Sequence, residues 1–350
     1  MKNILVTGGA GFIGSHTCLL LLDKGYRVFI IDSFENSSPG VIKRISKIYK
    51  LSNKNSEVNL KIFQGSLCDK DFIEDIFLNI YNSNEEIDGV IHFAGVKAVE
   101  ESIIKPLIYW RNNVLGTLNL LEVMSKFGCR NLVFSSSATI YKQINNIRLK
   151  ESSELEPNNP YGSTKLTVEK LLKDLFESAS NEWKFVSLRY FNPIGAHPSG
   201  LLGEYPKGLP RNIFPLITNT AIGIQKEFKI YGKDWPTKDG TTIRDYIHIM
   251  DLAECHIKIL EDLIHSKAVY LTVNVGTGKG TSVLELIKTF EIVNNRTIKF
   301  VFSSRRPGDI PFVVADNSLL RSKFNIVPKR TIEDMCRDGW KWIKQNPNGI

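Results

Sequence analysis

The first strand-like run of this chain, Asn3-Ile-Leu-Val-Thr7, passes directly into Gly8-Gly9-Ala10-Gly11-Phe12-Ile13-Gly14. The spacing is Gly-x-x-Gly-x-x-Gly, and an amphipathic stretch from Phe12 to Lys24 follows. Alone the pattern is weak. Between a strand and a helix it narrows the fold, because glycine lets the turn take positive φ and lets a pyrophosphate approach the backbone. The helix start then offers N–H groups and a partial positive charge to that anion. Gly8, Gly11, Phe12, Ile13 and Gly14 are the candidate contacts. Asp32 ends a second apolar run, Arg27 to Asp32, eighteen residues after Gly14. A carboxylate there accepts hydrogen bonds from the adenosine ribose and repels a 2′-phosphate. Ser33-Phe34-Glu35-Asn36-Ser37 adds no arginine or lysine to receive such a phosphate. The expected cofactor is NAD and not NADP.

Short apolar runs recur along the first half of the chain. Asn3 to Thr7, Arg27 to Asp32, Leu60 to Gln64, Gly89 to Phe93, Asn131 to Ser135 and Lys184 to Tyr190 read as buried strands. Helical stretches lie between them: Phe12 to Lys24, Lys70 to Asn82, Pro106 to Phe127 and Tyr161 to Ser180. This alternation predicts an α/β, doubly wound parallel sheet (Rossmann), with ligands beyond the carboxyl ends of the strands. After Tyr190 prolines and glycines cluster, from Pro193 to Pro215. A strand over Thr241 to Met250, a helix from Asp251, a strand over Leu271 to Val275 and helices near Val283 to Asn294 and Ile332 to Gln345 follow. The expectation is a dinucleotide-binding domain over 1–192, to which segments near 241–275 return, and a smaller mixed domain over 193–350. Ser46 to Glu57 and Asn145 to Lys150 read as solvated loops or helix ends.

The 350 residues and 42% hydrophobic content suit one large or two modest globular domains. The longest apolar run near the start, Cys18 to Leu22, is too short to span a bilayer. The N-terminus lacks a signal-peptide pattern, so a cytoplasmic location is expected. The five cysteines are scattered, with no Cys/His cluster, which argues against disulfides and a metal site. The net charge of +8 has no basic block interleaved with aromatics, which argues against nucleic acid.

The chemistry resides in Tyr161-Gly-Ser-Thr-Lys165 and in Ser135-Ser136-Ser137, which precedes it. Pro160 is a good helix starter, and positions four apart share a helix face, so Tyr161 and Lys165 project together. A free tyrosine titrates near about 10 and is a poor base at neutrality. A lysine ammonium and an oxidised nicotinamide beside it would favour the phenolate and lower that value. Ser137, ending the fifth strand, could bond the same substrate hydroxyl. Phe93-Ala94-Gly95 ends the fourth strand with small residues where a cofactor could lie against the backbone, and Lys97 could reach its phosphate or ribose oxygens.

Taken together, these motifs resemble the extended branch of the short-chain dehydrogenase/reductase family, and within it the UDP-glucose 4-epimerases. His92-Phe-Ala-Gly-Val-Lys97, Asn112-Asn113-Val114, Ser135-Ser-Ser-Ala-Thr139, Arg189-Tyr-Phe-Asn-Pro193, Gly195-Ala-His-Pro-Ser-Gly200, Asp239-Gly-Thr-Thr-Ile-Arg-Asp-Tyr-Ile-His248 and Arg305-Arg-Pro-Gly-Asp309 carry the resemblance over nearly the whole length. It implies that Tyr161 takes the proton of the sugar 4′-hydroxyl, that Ser137 shares its hydrogen bond beside Thr139, and that Lys165 holds the nicotinamide ribose and tunes Tyr161. It adds Asn36 and Ser37 to the adenosine site, with Ser66 and Leu67 near the adenine. Lys97, Asn113, Ser135 and Tyr190 would line the cofactor, Lys97 also facing the sugar. Asn192, Asn212, Ile213, Phe228 and Tyr231 would bind the nucleotide with Arg244 and Arg306 on the diphosphate and Asp309 on the uridine ribose. The implied reaction removes hydride from C4 of a UDP-hexose, turns the 4-keto sugar over in the pocket, and returns the hydride to the other face with NAD tightly bound. A homodimer through helices near Pro106 to Phe127 and Tyr161 to Ser180 is implied as well.

Three positions depart from the family pattern. Ser66 stands where an aspartate that bonds the adenine is usual, with Asp69 close by in sequence. Lys142 replaces a glycine after Ala138-Thr-Ile-Tyr141. Val313 stands at the fourth position after Asp309, where relatives with tyrosine are confined to glucose and galactose and those with a smaller residue also admit N-acetylated sugars. Two other readings share the scaffold: a 4,6-dehydratase, which needs an acidic residue poised at C5 and C6 where this chain has Ala138, Thr139 and Ile140, and a non-catalytic NAD sensor.

Overall fold

Strand β1, Asn3–Thr7, is buried along its whole length and lies in the interior of a seven-stranded sheet. These coordinates are those of a computed structural model, which describes all residues except 54–56, 143–146, 180–181, 209 and 307. Asn145, Asn146, Ser180 and parts of the two solvated-loop readings therefore lie outside the described residues. Along the chain follow α1 Phe12–Asp23, β2 Arg27–Asp32, α2 Gly40–Ser52, β3 Leu60–Gln64, α3 Lys70–Asn82 and β4 Gly89–His92. A helical run comprises α4 Val99–Ile104, α5 Pro106–Tyr109, a π-helical turn Trp110–Leu115 and α6 Gly116–Lys126. Next come β5 Asn131–Ser137, α7 Pro160–Ser178 and β6 Lys184–Tyr190. The strand order is β11-β6-β5-β4-β1-β2-β3, where β11 is Val269–Val275. β1 pairs in parallel with both β2 and β4. The order therefore reverses between β1 and β4, which is where such sheets bind their ligands. The inner strands hold this arrangement through their buried apolar residues. Leu5, Phe29, Val90, Leu132, Phe134 and Phe185 pack into one core with the helices.

Chain packing divides the molecule into two units. The first comprises Met1–Ile140, Leu155–Arg189 and Ala253–Val273; the second comprises Tyr141–Glu154, Tyr190–Leu252 and Asn274–Ile350. In the second unit the strands are short: β7 Asn192–Ile194, β8 Phe228–Tyr231, β9 Ile243–Arg244, β10 Tyr246–His248, β12 Thr281–Ser282, β13 Phe300–Ser303 and β14 Phe312–Val313. They pair as β10-β7, β12-β9-β14 and β13-β8. Helices α8 Ile213–Ala221, α10 Val283–Asn294, α11 Ser318–Phe324 and α12 Ile332–Gln345 accompany them, and α9 Ile249–His265 leads back to β11. Phe214, Phe228, Tyr246, Leu286 and Phe290 lie in a separate core.

The stretch Thr241 to Met250 is not one strand. It breaks at Asp245 into β9 and β10, which join different small sheets. Asp245 is fully buried and its carboxylate accepts from the Thr277 amide and hydroxyl, the Gly278 amide and the Ala315 amide at 2.7–3.2 Å. Four donors on one carboxylate outweigh continuation of the ladder. Of the two readings of residues 46–52, a solvated loop or a helix end, the structure shows the second: they are the last turns of α2.

Candidate active site

The glycine turn occupies the carboxyl end of β1. Its backbone is closed by Gly8 donating to the Ile31 carbonyl at 2.7 Å and Gly11 donating to the Gly8 carbonyl at 3.1 Å. Gly14 opens the second residue pair of α1, and a Cβ there would lie 2.3 Å from the Gly8 oxygen and 2.8 Å from Gly9 Cα. Both neighbours are backbone, so no side chain can move aside, and the turn requires glycine. The N-cap of α1 is Gly11, and no side chain caps the helix. Phe12 and Ile13 supply its first amides. Asp32 is buried and organises the turn: its carboxylate accepts from the Ala10 amide at 2.9 Å, the Phe34 amide at 2.9 Å and the Ser37 hydroxyl at 2.8 Å. Asn36 is exposed beside it.

Ser66 accepts from the Cys68 amide at 3.2 Å, and the Leu67 carbonyl accepts from Asn119 at 3.0 Å. Asp69, the nearby carboxylate, is the N-cap of α3 and accepts from the Phe72 amide at 3.1 Å. It is therefore committed to the helix start. The Phe93 ring lies 4.7 Å from that of His256, and Lys97 is exposed. Asn113 is buried in the π-helical turn. Its carboxamide accepts from the Val96 amide at 2.8 Å and donates to the Val96 carbonyl and Thr164 hydroxyl, each at 3.0 Å. The extra residue of a π turn is what aims this side chain at both the loop after β4 and helix α7.

Asn159 caps α7 by accepting from the Gly162 amide at 2.9 Å, with Pro160 in the first turn. A Cβ on Gly162 would meet the Thr139 carbonyl at 2.8 Å, so glycine lets the helix start close to the end of β5. The Ser137 hydroxyl acts on Tyr161 there, favouring the phenolate. Ser137 Oγ also receives the Thr139 amide at 3.2 Å and the Thr139 hydroxyl at 2.9 Å. A hydroxyl has one proton and two lone pairs. With Thr139 filling the acceptor side, the Ser137 proton is left available to the phenolic oxygen. Lys165 is buried, donates to the Ser135 carbonyl at 2.7 Å, and holds its Nζ 5.9 Å from the centre of the Tyr161 ring.

The electrostatics of the protein alone add one effect that helix spacing does not contain. Burial pushes the Tyr161 phenol up, and the Ser137 hydrogen bond only partly opposes it. The expected lowering counts an oxidised nicotinamide as well as the lysine; burial of the phenol opposes both. Burial also pulls Lys165 down to about 8, with the Glu169 carboxylate opposing. The amine remains mostly protonated at neutral pH.

The motifs also contain residues to which sequence reasoning assigned no role. His92 donates or accepts at both ring nitrogens, to Thr7 Oγ1 at 2.6 Å and Thr117 Oγ1 at 2.8 Å. Thr117 donates onward to the Asn113 carbonyl at 2.6 Å. The Nε2–H tautomer satisfies this chain, and burial pulls the ring pKa down to about 3, so His92 is neutral. It ties the ends of β1 and β4 to the turn bearing Asn113. Its place in the His92 to Lys97 motif was the available signal.

In the second unit, Arg244 donates to the Ile243 and Ile310 carbonyls at 2.9 Å and lies 3.4 Å from Asp309. Burial pulls the Arg244 pKa down; Asp309 opposes and Arg306 adds to the lowering. The Arg306 guanidinium stacks 3.9 Å over the Tyr231 ring, and its buried Nε has no hydrogen-bond partner among the described residues. Two guanidiniums near enough to repel, one with an unused buried donor, are arranged for an anion. Val313 stands opposite Arg244 in the β14–β9 register. Asn192 lies on β7, its amide donating to the Asp245 carbonyl, and Tyr190 is buried. Asn212 donates to Glu204 at 2.6 Å, just ahead of Ile213 on α8. The Phe228 side chain is committed to the core. Lys142 takes no positive φ; its amide donates to the Glu154 carbonyl at 2.8 Å, so the turn does not require the glycine usual there.

The glycine turn, the strand-end serine and the Tyr161/Lys165 helix face define a short-chain dehydrogenase/reductase. A family model described as GDP-mannose 4,6 dehydratase matches residues 5–339. UDP-glucose 4-epimerase 2 of Arabidopsis thaliana is 47% identical over 348 residues, covering 99% of this chain and 97% of its own. Two solved structures are similar throughout. UDP-glucose 4-epimerase from Bifidobacterium longum, in complex with NAD+ and UDP, has a TM-score of 0.91 and 42% identity, with 100% of each chain covered. The UDP-glucose-4-epimerase of Stenotrophomonas maltophila, with bound NAD and formylated UDP-arabinopyranose, has a TM-score of 0.92 and 40% identity, with 99% of each chain covered. The chain belongs to the UDP-glucose 4-epimerase family.

Proposed function

We infer that this protein is an NAD-dependent isomerase that inverts C4 of UDP-hexoses, interconverting UDP-glucose and UDP-galactose in carbohydrate metabolism. The observation that carries the reading is Tyr161 beside Ser137, whose acceptor side Thr139 fills, with the Lys165 amine on the same helix face. NAD fits the first unit: Gly14 lets the turn close on its own backbone at the start of α1, α1 begins without a side-chain cap, and Asp32 is fixed at the end of β2. Bound NAD supplies the hydride acceptor and donor and a positive ring.

The protein's own groups move the proton and hold the sugar nucleotide. Tyr161 takes the proton of the 4′-hydroxyl and later returns it. Lys165, still charged at neutral pH, offsets the burial that disfavours the phenolate. Ser137 holds the oxygen between them in line. Arg244 and Arg306 take the diphosphate and Asp309 the uridine ribose, so binding rests on the nucleotide and the hexose is left free to turn. Purified protein should convert UDP-galactose to UDP-glucose without added NAD; an inert protein would contradict the reading.

Val313 extends the substrate range. Beside Arg244 it presents a small aliphatic side chain, so UDP-N-acetylglucosamine should be converted too. Val313→Tyr should lower turnover of the acetylated sugar by about tenfold or more and leave UDP-galactose within about threefold. Wild-type protein that leaves UDP-N-acetylglucosamine untouched would overturn this.

The protein acts in the cytoplasm as a homodimer. Among the described residues no helix is long and apolar enough to cross a membrane. Helices α4 and α5 nevertheless expose Ile103, Ile104, Leu107 and Ile108, with Leu107 81% accessible. Four large apolar side chains left exposed so close together in the chain suit a protein interface. Leu107→Glu should halve the mass measured by light scattering at micromolar concentration. A wild-type protein already monomeric under those conditions would refute the dimer.

A further inference from the structure

Helix α7 meets β5 in three rungs. Tyr161, Lys165 and Glu169 are four apart and share one face. Their partners are three consecutive serines: the Ser137 hydroxyl, the Ser135 carbonyl and the Ser136 hydroxyl. The first two rungs hold groups that the proposed reaction uses, and the third does not. Glu169 is instead paired with Arg189 of β6, through Nε to Oε1 at 3.0 Å and Nη2 to Oε2 at 2.7 Å. Both side chains are 3% exposed. The Glu169 carbonyl also accepts from the Tyr270 hydroxyl of β11 at 3.0 Å. One turn of α7 is thereby tied to three neighbouring strands.

A buried ion pair is a poor way to add stability, because an apolar pair of similar volume does as well without the desolvation. What a bidentate pair does supply is geometry: the planar fork of arginine accepts a carboxylate in one orientation. We propose that Glu169, clamped by Arg189 and Ser136, is a positioning residue that sets the rotation and height of α7 against β5, and so the alignment of Tyr161 and Lys165 with the reacting sugar. The proposal rests on the epimerase reading above. It concerns placement of the reacting groups, which can change rate by large factors for displacements of about 1 Å. The nucleotide contacts of the second unit use other residues.

The test compares wild-type holoprotein with Glu169→Gln and Ser136→Ala in UDP-galactose turnover, together with bound NAD content. Glu169→Gln keeps the shape and unbalances the clamp; Ser136→Ala removes one rung and leaves both charges paired. The expected result is a kcat at least tenfold lower for Glu169→Gln and at least threefold lower for Ser136→Ala. KM should stay within twofold and NAD content should equal that of wild type. A uniform loss of KM and cofactor would mark mere structural damage and overturn the proposal. So would wild-type kcat in Ser136→Ala, even if Glu169→Gln fails to fold. Wild-type protein inert toward UDP-galactose would instead sink the functional reading beneath it.

Discussion

Tyr161→Phe will lower UDP-galactose turnover by about 10³-fold, within the range a positioned acid–base group supplies, and leave NAD and UDP bound. Only the phenolic oxygen is lost. The ring stays where Pro160 and the Asn159 cap put it, edge-on to Tyr109 at 6.5 Å between centres. The cofactor turn and the two arginines lie on other elements and are unchanged. Without the phenol, the Ser137 proton loses its acceptor and the 4′-hydroxyl has no base. Turnover measured by product analysis, with NAD content and UDP titration as controls, checks this. Activity above one-tenth of wild type would show that another group moves the proton.

Lys165→Met separates activity from stability. The amine is charged in a buried site, and burial has pulled it down to about 8 from its ordinary 10.5. The folded-state value is therefore below the unfolded one. Below pH 8 both states carry the proton and the folded state bears the full penalty; as pH rises from 8 to 10.5 the penalty fades. Methionine removes it. After allowing for the lost hydrogen bond to the Ser135 carbonyl, the variant should be more stable by about 2 kcal/mol at pH 7. Its advantage should shrink toward pH 10. Turnover should fall at least about 10²-fold, because nothing then offsets the burial of the phenolate. Urea unfolding at pH 7 and pH 10 reads the first effect. A variant less stable than wild type at both values would mean that the amine is held by more than it loses.

The main sheet was legible because its strands are short runs rich in Val, Ile, Leu and Phe with helical stretches between them. Asn3–Thr7, Arg27–Asp32, Leu60–Gln64 and Lys184–Tyr190 stand where the pattern put them. The second unit was not, since its strands are two to four residues long and pair with distant segments, such as Phe228–Tyr231 with Phe300–Ser303. No local periodicity encodes such a pairing. The shared face of Tyr161 and Lys165 follows from helix geometry alone. The carbonyl that holds Lys165, the Arg189 clamp on Glu169 and the upward push on the phenol all depend on what surrounds the helix, which spacing does not contain.

A 4,6-dehydratase on this scaffold would consume its substrate and expel a group from C6. After Ser137 this chain has Ala138, Thr139 and Ile140, none of them acidic, and Thr139 is bonded to Ser137. The most direct measurement uses UDP-galactose deuterated at C4, incubated with purified protein and no added NAD. The expected product is UDP-glucose with deuterium still at C4 and no net reduced nucleotide. Deuterium lost to solvent, or a 4-keto-6-deoxy product, would contradict hydride removal and return at a single carbon.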